Sequence, residues 1–205
     1  MTNWTKIPDD KTIEQTAAAL TANGMETFIV TSGEDAKNKV LEFVPEGSEV
    51  FTMTSKTLDL IGIPQVINES GKYASVRKKL ESMDRQTQSR EMQKIGSSPE
   101  YAIASVHALT QDGKAIIASN TGSQLAAEVY GANNVIWVIG AQKIVQDIDE
   151  GFKRIYEYVL PLESDRFNKT YNTTTGSFVS KLLIINREIK PGRIRTIIVK
   201  QVLGF

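Results

Sequence analysis

The sequence predicts an α/β fold: a largely parallel sheet covered on both faces, with β-hairpin additions. Strand-like and helix-like segments alternate over roughly the first two-thirds of the chain, the rhythm of a parallel sheet with crossover helices. The most apolar run, Val135-Ile-Trp-Val-Ile-Gly-Ala141, lacks polar alternation and so reads as a strand buried on both faces. Two glycine-bearing turns, Thr110-Gln-Asp-Gly113 and Lys190-Pro-Gly192, each separate a pair of β-prone runs and read as hairpins.

Asp9 or Asp10 caps a helix reaching Asn23, where Ile13, Ala17 and Leu20 recur at helical spacing and Gly24 supplies the stop. A strand over 25–31 follows. Ser32 caps a helix to Phe43, and Pro45-Glu-Gly47 turns the chain into a strand over 48–53. A short helix over 55–61 precedes a long polar helical stretch over 73–94, with Val76, Leu80, Met83 and Met92 as its sparse apolar face. Ser97-Ser-Pro-Glu-Tyr101 resembles a helix start with proline in the first turn. Residues 102–109 and 114–119 are β-prone around Asp112-Gly113. A helix over 121–130 ends at Gly131, and the apolar strand over 134–140 reads as central. A helix over 148–159 leads to a long connection through Pro161 and the polar residues 168–176. Strands over 182–187 and 194–199 then form the second hairpin. No linker, fixed-period repeat or low-complexity segment divides the chain, so residues 1–205 read as a single domain.

Composition narrows the function. The 205 residues include 24 basic and 24 acidic side chains, 40% apolar residues and no cysteine. Zero net charge offers no overall field for nucleic acid or an anionic membrane, and neither is expected as a partner. Without cysteine the chain cannot form disulfides, thiolate metal sites, a cysteine nucleophile or its own iron–sulfur cluster, and one histidine excludes a histidine-rich metal site. No metal site is expected. The first ten residues contain Lys6, Asp9 and Asp10 and lack a signal-like apolar core, and no run approaches the roughly 20 residues of a membrane helix. A cytoplasmic location is the expectation.

Two polar turns follow strands and begin helices. In Ala118-Ser-Asn-Thr-Gly-Ser-Gln124, the backbone at Gly122 and the side chains of Ser119, Thr121, Ser123 and Gln124 can surround a phosphate or carboxylate, or simply cap a helix. The turn lacks both the phosphate-loop lysine signature and the dinucleotide glycine pattern. Thr54 and Ser55 lie in the second turn, Thr52-Met-Thr-Ser-Lys-Thr57, and turns at the carboxyl ends of parallel strands gather on the ligand side of the sheet. His107 is the one side chain with an ordinary pKa near neutrality, and so a candidate acid or base. Its position on a predicted strand also fits a structural histidine. Glu100 is the second catalytic candidate, although capping explains it equally well. Residues 72–94 hold seven basic and three acidic side chains, either a face for an acidic partner or a solvated helix.

The run Glu100-Tyr-Ala-Ile-Ala104, the stretch from Ala118 to Leu125 and the segment Val135-Ile-Trp-Val-Ile-Gly-Ala-Gln-Lys-Ile-Val145 resemble the lactate-utilisation (LUD) domain family. The resemblance runs from the first helix through Pro161. It is nearest to short stand-alone bacterial members ending in a hairpin such as Lys190-Pro-Gly-Arg-Ile194 and a tail such as Leu203-Gly-Phe205. It implies a three-layer α/β/α sandwich similar to the ribose-phosphate isomerase and coenzyme A transferase group. It also implies a link to bacterial L-lactate oxidation to pyruvate, where family members accompany iron–sulfur proteins. Two departures stand out. Where many members continue Glu-Thr-Gly after Ala-Ile-Ala, this chain has Ser105-Val106-His107, which excludes a glutamyl nucleophile there. Where they carry Gly-Pro-Ser-Arg-Thr, it has Gly176-Ser-Phe-Val-Ser180.

Three functions follow as expectations. The first is a lactate-utilisation component that binds a small anionic ligand beside iron–sulfur redox partners. The second is a self-contained isomerase, transferase or hydrolase acting on a sugar phosphate or acyl coenzyme A. The third is a non-catalytic interaction protein. An oligomer is compatible with each, and the residues leave any cofactor unidentified.

Overall fold

The computed structural model describes residues 2–205. Helix α1 (Asp10–Ala22) starts where the Asp9 carboxylate accepts the Thr12 N–H, and its buried stripe is Ile13, Thr16, Ala17 and Leu20. Strand β1 (Glu26–Val30) leads to α2 (Gly33–Phe43), opened by a reciprocal cap between Ser32 and Asp35. Strand β2 (Glu49–Thr52) is followed by α3 (Lys56–Leu60), α4 (Ile63–Glu69), the two-residue β3 (Ala74–Ser75), α5 (Val76–Glu81) and α6 (Ser89–Ser97). Then come β4 (Tyr101–Ala104), β5 (Ala108–Thr110), β6 (Ala115–Ser119), a π-helical turn at Ala127–Gly131 and β7 (Asn134–Gly140). After β8 (Ile144–Val145), α7 (Ile148–Arg154) passes through a second π-helical turn, Ile155–Val159, into α8 (Leu160–Tyr171). Strands β9 (Lys181–Ile185) and β10 (Ile194–Val199) close the chain.

Six strands form one parallel sheet in the order β1-β10-β7-β4-β2-β3. Its interior strands send alternate side chains into two cores. Val135, Trp137 and Ile139 of β7 face one core with Ile13, Ala17 and Leu20 of α1, while Ile136 and Val138 face the other with residues of α2, α3 and α4. A four-stranded sheet, β8-β5-β6-β9, packs Leu109, Ala115 and Ile117 into the α1 side. Its outer face, Ala108, Ile116 and Val145, is covered by Phe152 and Ile155. The result is a three-layer α/β/α sandwich, as expected, with the small sheet added to one layer. Among the described residues no helix is long and apolar enough to cross a membrane.

Several expected elements are corrected. The stretch over 73–94 is interrupted because Asp84 accepts the Gln86 N–H and the Thr87 hydroxyl, while the Gln88 side chain accepts the Asp84 N–H. These local bonds replace a helical turn. Ser97 to Tyr101 is a helix end, because Pro99 disfavours helical backbone at Ser98 and releases the chain into β4. The run over 102–109 divides at Ser105–His107 into strands of different sheets. Regular helix is absent at residues 121–124, where Gly122 has φ +83°. Pro161 does not end its helix, because it falls in the first turn of α8, where the missing N–H costs little. The second hairpin does not form. β9 pairs with β6, while β10 lies between β1 and β7, buried on both faces.

The Asp112-Gly113 hairpin does form, and its tip docks on α1. Asn23 Nδ2 donates to the carbonyls of Asp112 and Gly113 at 3.1 and 2.9 Å, and a Cβ on Gly113 would meet the Ala19 carbonyl carbon at 2.5 Å. Gly113→Ala combines that contact with a positive φ and is expected to cost at least about 2 kcal/mol in urea unfolding. Ile136→Asp places an unpartnered charge in the α2–α4 core and is expected to remove more than about 4 kcal/mol, read from the same transition.

Candidate functional site

The turns after β2 and β6, the β4–β5 linker and the segment after β7 open onto one cleft of about 990 Å³. In an open parallel sheet this carboxyl end is where crossovers diverge and leave a crevice. Thr54, Ser55, His107, Ser119, Thr121, Gly122, Ser123 and Gln124 all lie on its wall. Glu100 does not. It sits at the amino end of β4, exposed, with its carboxylate accepting the Glu49 N–H at 3.2 Å. The expectation of Glu100 as a cleft acid is therefore corrected: the residue precedes its strand, and the cleft lies beyond the strand's other end.

The local bonding qualifies the remaining expectations. Ser55 caps α3, and the Thr54 hydroxyl accepts from Arg77 Nη2 at 3.3 Å. In the 119–124 turn, Ser119 Oγ accepts the Gly122 N–H at 2.9 Å and Thr121 Oγ1 accepts the Ser123 N–H at 3.3 Å. Two of the turn's donors are thus spent on its own hydroxyls. The His107 ring, half-buried, accepts the Ala118 N–H on Nδ1 at 3.1 Å and joins β6 to the linker. Protonating Nδ1 would set two donors face to face. Burial first, then the charges of Lys143 and Arg154, push the imidazole down to about 3.

Three buried ionisable groups that sequence reasoning passed over dominate the electrostatics. Lys143, 2% exposed, lines the floor just beyond β7. Its Nζ contacts Thr57 Oγ1 at 3.0 Å, Ser105 Oγ at 3.1 Å and the Val106 carbonyl at 3.2 Å. Burial and the Arg154 charge hold its pKa well below the usual lysine value. Arg154, 0% exposed, donates from Nη1 to the His107 carbonyl at 2.6 Å and lies over the Tyr158 ring. Its Nε and Nη2 find no partner among the described residues, and burial lowers it to about 10. Glu128, 1% exposed, lines the cleft from the π-helical turn and accepts the Trp137 indole N–H at 3.0 Å. Burial pushes its carboxyl up to about 8, against the opposing pull of that indole bond. Lys143 was the one of the three with a sequence signal: a lysine inside the apolar run from Val135 to Val145.

Fold and cleft together define an α/β sandwich protein with a polar crevice at the carboxyl ends of its parallel strands. The model of the LUD domain matches residues 13–199, and the chain belongs to that family. A crystal structure of a DUF162 family protein from Deinococcus radiodurans is similar, with a TM-score of 0.58 and 11% sequence identity over 95% of this chain and 99% of the other. That likeness extends to the fold. No curated protein matches the chain.

Two pH dependences follow. Between about 4.5 and 8 the folded state keeps the Glu128 proton that the unfolded chain releases, so Glu128 lowers stability progressively as pH rises through that window. Glu128→Gln is expected to remove this decline, on the order of 4 kcal/mol across the window, in urea unfolding at successive pH values. His107 acts in the opposite sense: from about 3 to 6.5 the unfolded chain binds the proton that the fold refuses, so stability rises with pH. His107→Gln is expected to flatten that rise in acid unfolding.

Proposed function

We propose that the cleft binds a small anionic ligand, and that the chain serves bacterial lactate utilisation as a ligand-binding component beside iron–sulfur redox proteins. The observation that carries the anion reading is the buried basic group on the cleft floor, Lys143, with no carboxylate bonded to it among the described residues and the charge of Arg154 close by, off the cleft wall. Desolvating a cation costs several kcal/mol unless an opposite charge approaches it, and an anion in the cleft supplies that charge. Basic side chains also outnumber acidic ones around the wall. The lactate connection is an extension of family membership; L-lactate and pyruvate are small carboxylates of suitable sign. A chain without cysteine leaves thiolate cluster ligands to a partner. A second reading, a self-contained enzyme on a sugar phosphate or acyl coenzyme A, draws support from Glu128, a buried proton carrier on the cleft wall.

Calorimetric titration with L-lactate, pyruvate and inorganic phosphate tests the anion reading. Saturable binding of at least one is expected, weakened about tenfold or more in Lys143→Met whose fold is verified by circular dichroism. Heat-silent titrations of all three, confirmed by unchanged melting temperatures, reject it. Turnover of a sugar phosphate or acyl coenzyme A by the purified chain alone would favour the second reading.

A further inference from the structure

We propose that the cleft takes a nucleotide, with its phosphates against the arginines of the α5–α6 wall and its base stacked on the aromatic side chains of the α8 wall. The inference rests on the anion reading of the cleft, and it adds the class of molecule that carries the anion.

A three-carbon acid does not fill this cleft. At about 990 Å³ it stands at the upper end of the range that encloses drug-sized ligands. Lactate or phosphate would leave most of the space to water, and most of the wall without a contact.

One wall is cationic. Arg77 of α5, Arg85 of the connection after it and Arg90 of α6 all line the cleft, and none forms an ion pair among the described residues. Arg77 is held in place: Nε and Nη2 donate to the Thr52 carbonyl at 3.0 and 2.5 Å, and the guanidinium lies 5.7 Å from the Phe51 ring centre. Arg85 and Arg90 are exposed, and Arg90 spends one N–H on the Gln93 side chain. Of the carboxylates on the wall, Asp59 and Glu163 are paired with Lys56 and Arg166, while Glu81 attracts Arg77 from one turn along α5 without bonding it. Guanidinium groups match phosphate oxygens in a planar, two-bond geometry.

The other wall is aromatic. Phe167 and Tyr171 of α8 stand with ring centres 4.7 Å apart, and Tyr171 and Phe178 are 64% and 60% exposed. Phe178 follows a segment tied to α8, where the Gly176 N–H donates to Asn168 Oδ1 at 2.8 Å and the Ser177 N–H to Ser164 Oγ at 3.1 Å. Open ring faces on fixed backbone form a platform for a base, because every base has a flat face to stack. The Tyr171 phenol is close enough to Arg77 and Arg166 to act on their charges, so the two walls face each other across one cleft. A free phosphate or a small carboxylate matches only the first wall. A nucleotide joins a polyanion and a flat ring in one molecule and matches both.

The test is calorimetric titration of the full chain with ADP, GDP, CDP and UDP beside pyrophosphate, L-lactate and pyruvate. At least one nucleotide is expected to bind saturably, about tenfold or more tighter than pyrophosphate. Arg85→Gln with Arg90→Gln should weaken that nucleotide about tenfold. Tyr171→Ala with Phe178→Ala should bring it down to the affinity of pyrophosphate, which this pair leaves unchanged. All four side chains are exposed, so both variants keep the fold, as melting temperatures verify. Pyrophosphate binding as tightly as every nucleotide overturns the proposal, as does either variant retaining full nucleotide affinity; the anion reading then survives. L-lactate or pyruvate binding with no nucleotide binding has the same meaning. Silence of every titrant, with unchanged melting temperatures, removes both.

Discussion

The burial of β7 on both faces is the constraint on which the site depends. With β10 on one side, β4 on the other and a core against each face, every side chain from Val135 to Ile139 is solvent-free. Such a strand has no room for chemistry along its length, so polar groups enter only past its end. Gly140 is where they begin. A Cβ there would meet the Leu203 N at 2.7 Å and the Gln201 carbonyl oxygen at 2.9 Å, so the chain after β10 can pack directly against this turn. Gln142 Nε2 then donates to the Leu203 and Gly204 carbonyls, which fixes the segment carrying Lys143.

The same strand also fixes Glu128. A buried tryptophan needs an acceptor for its indole N–H, and Trp137 finds one in the Glu128 carboxyl. Arg193, 6% exposed, clamps the turn from beneath: Nη2 donates to the carbonyls of Ala127 and Glu128, Nε to Ala132, and Nη1 to the Glu188 carboxylate. A π-helical turn leaves carbonyls out of the regular α ladder, and one guanidinium at the entrance to β10 bonds two of them and the Ala132 carbonyl just after the turn. Packing demands of the core therefore determine where a cleft carboxyl stands.

The cleft thus combines a carboxyl that holds its proton near neutrality with a lysine that holds its proton less firmly than usual. Both shifts come first from burial, and among the described residues neither group is bonded to an opposite charge that would reverse them. His107 is kept neutral by burial first and then by the charges of Lys143 and Arg154, and it serves as a hydrogen-bond acceptor between the linker and β6. Its contribution is to hold the two segments together.

The sequence by itself determined what local chemistry decides. Asp9 and Ser32 cap α1 and α2, the unbroken apolar run makes β7 an interior strand, and Asp112-Gly113 turns a hairpin. Thr54 and Ser55 were legible on the cleft because they follow a strand of the parallel sheet, whereas residues 119–124 follow β6, an antiparallel strand of the small sheet, and reach the same cleft through the packing of that sheet. The partners of the last strands were decided by tertiary structure: β10 is apolar on both faces and takes an interior place, while the more exposed β9 takes an edge. Tertiary structure also separated Glu100 from Glu128. Both are single glutamates in unremarkable surroundings along the chain, yet one precedes its strand and meets water while the other folds beneath Trp137. Ionisation in a protein depends on how much solvent and which charges surround a group, and those neighbours come from residues far apart in the chain.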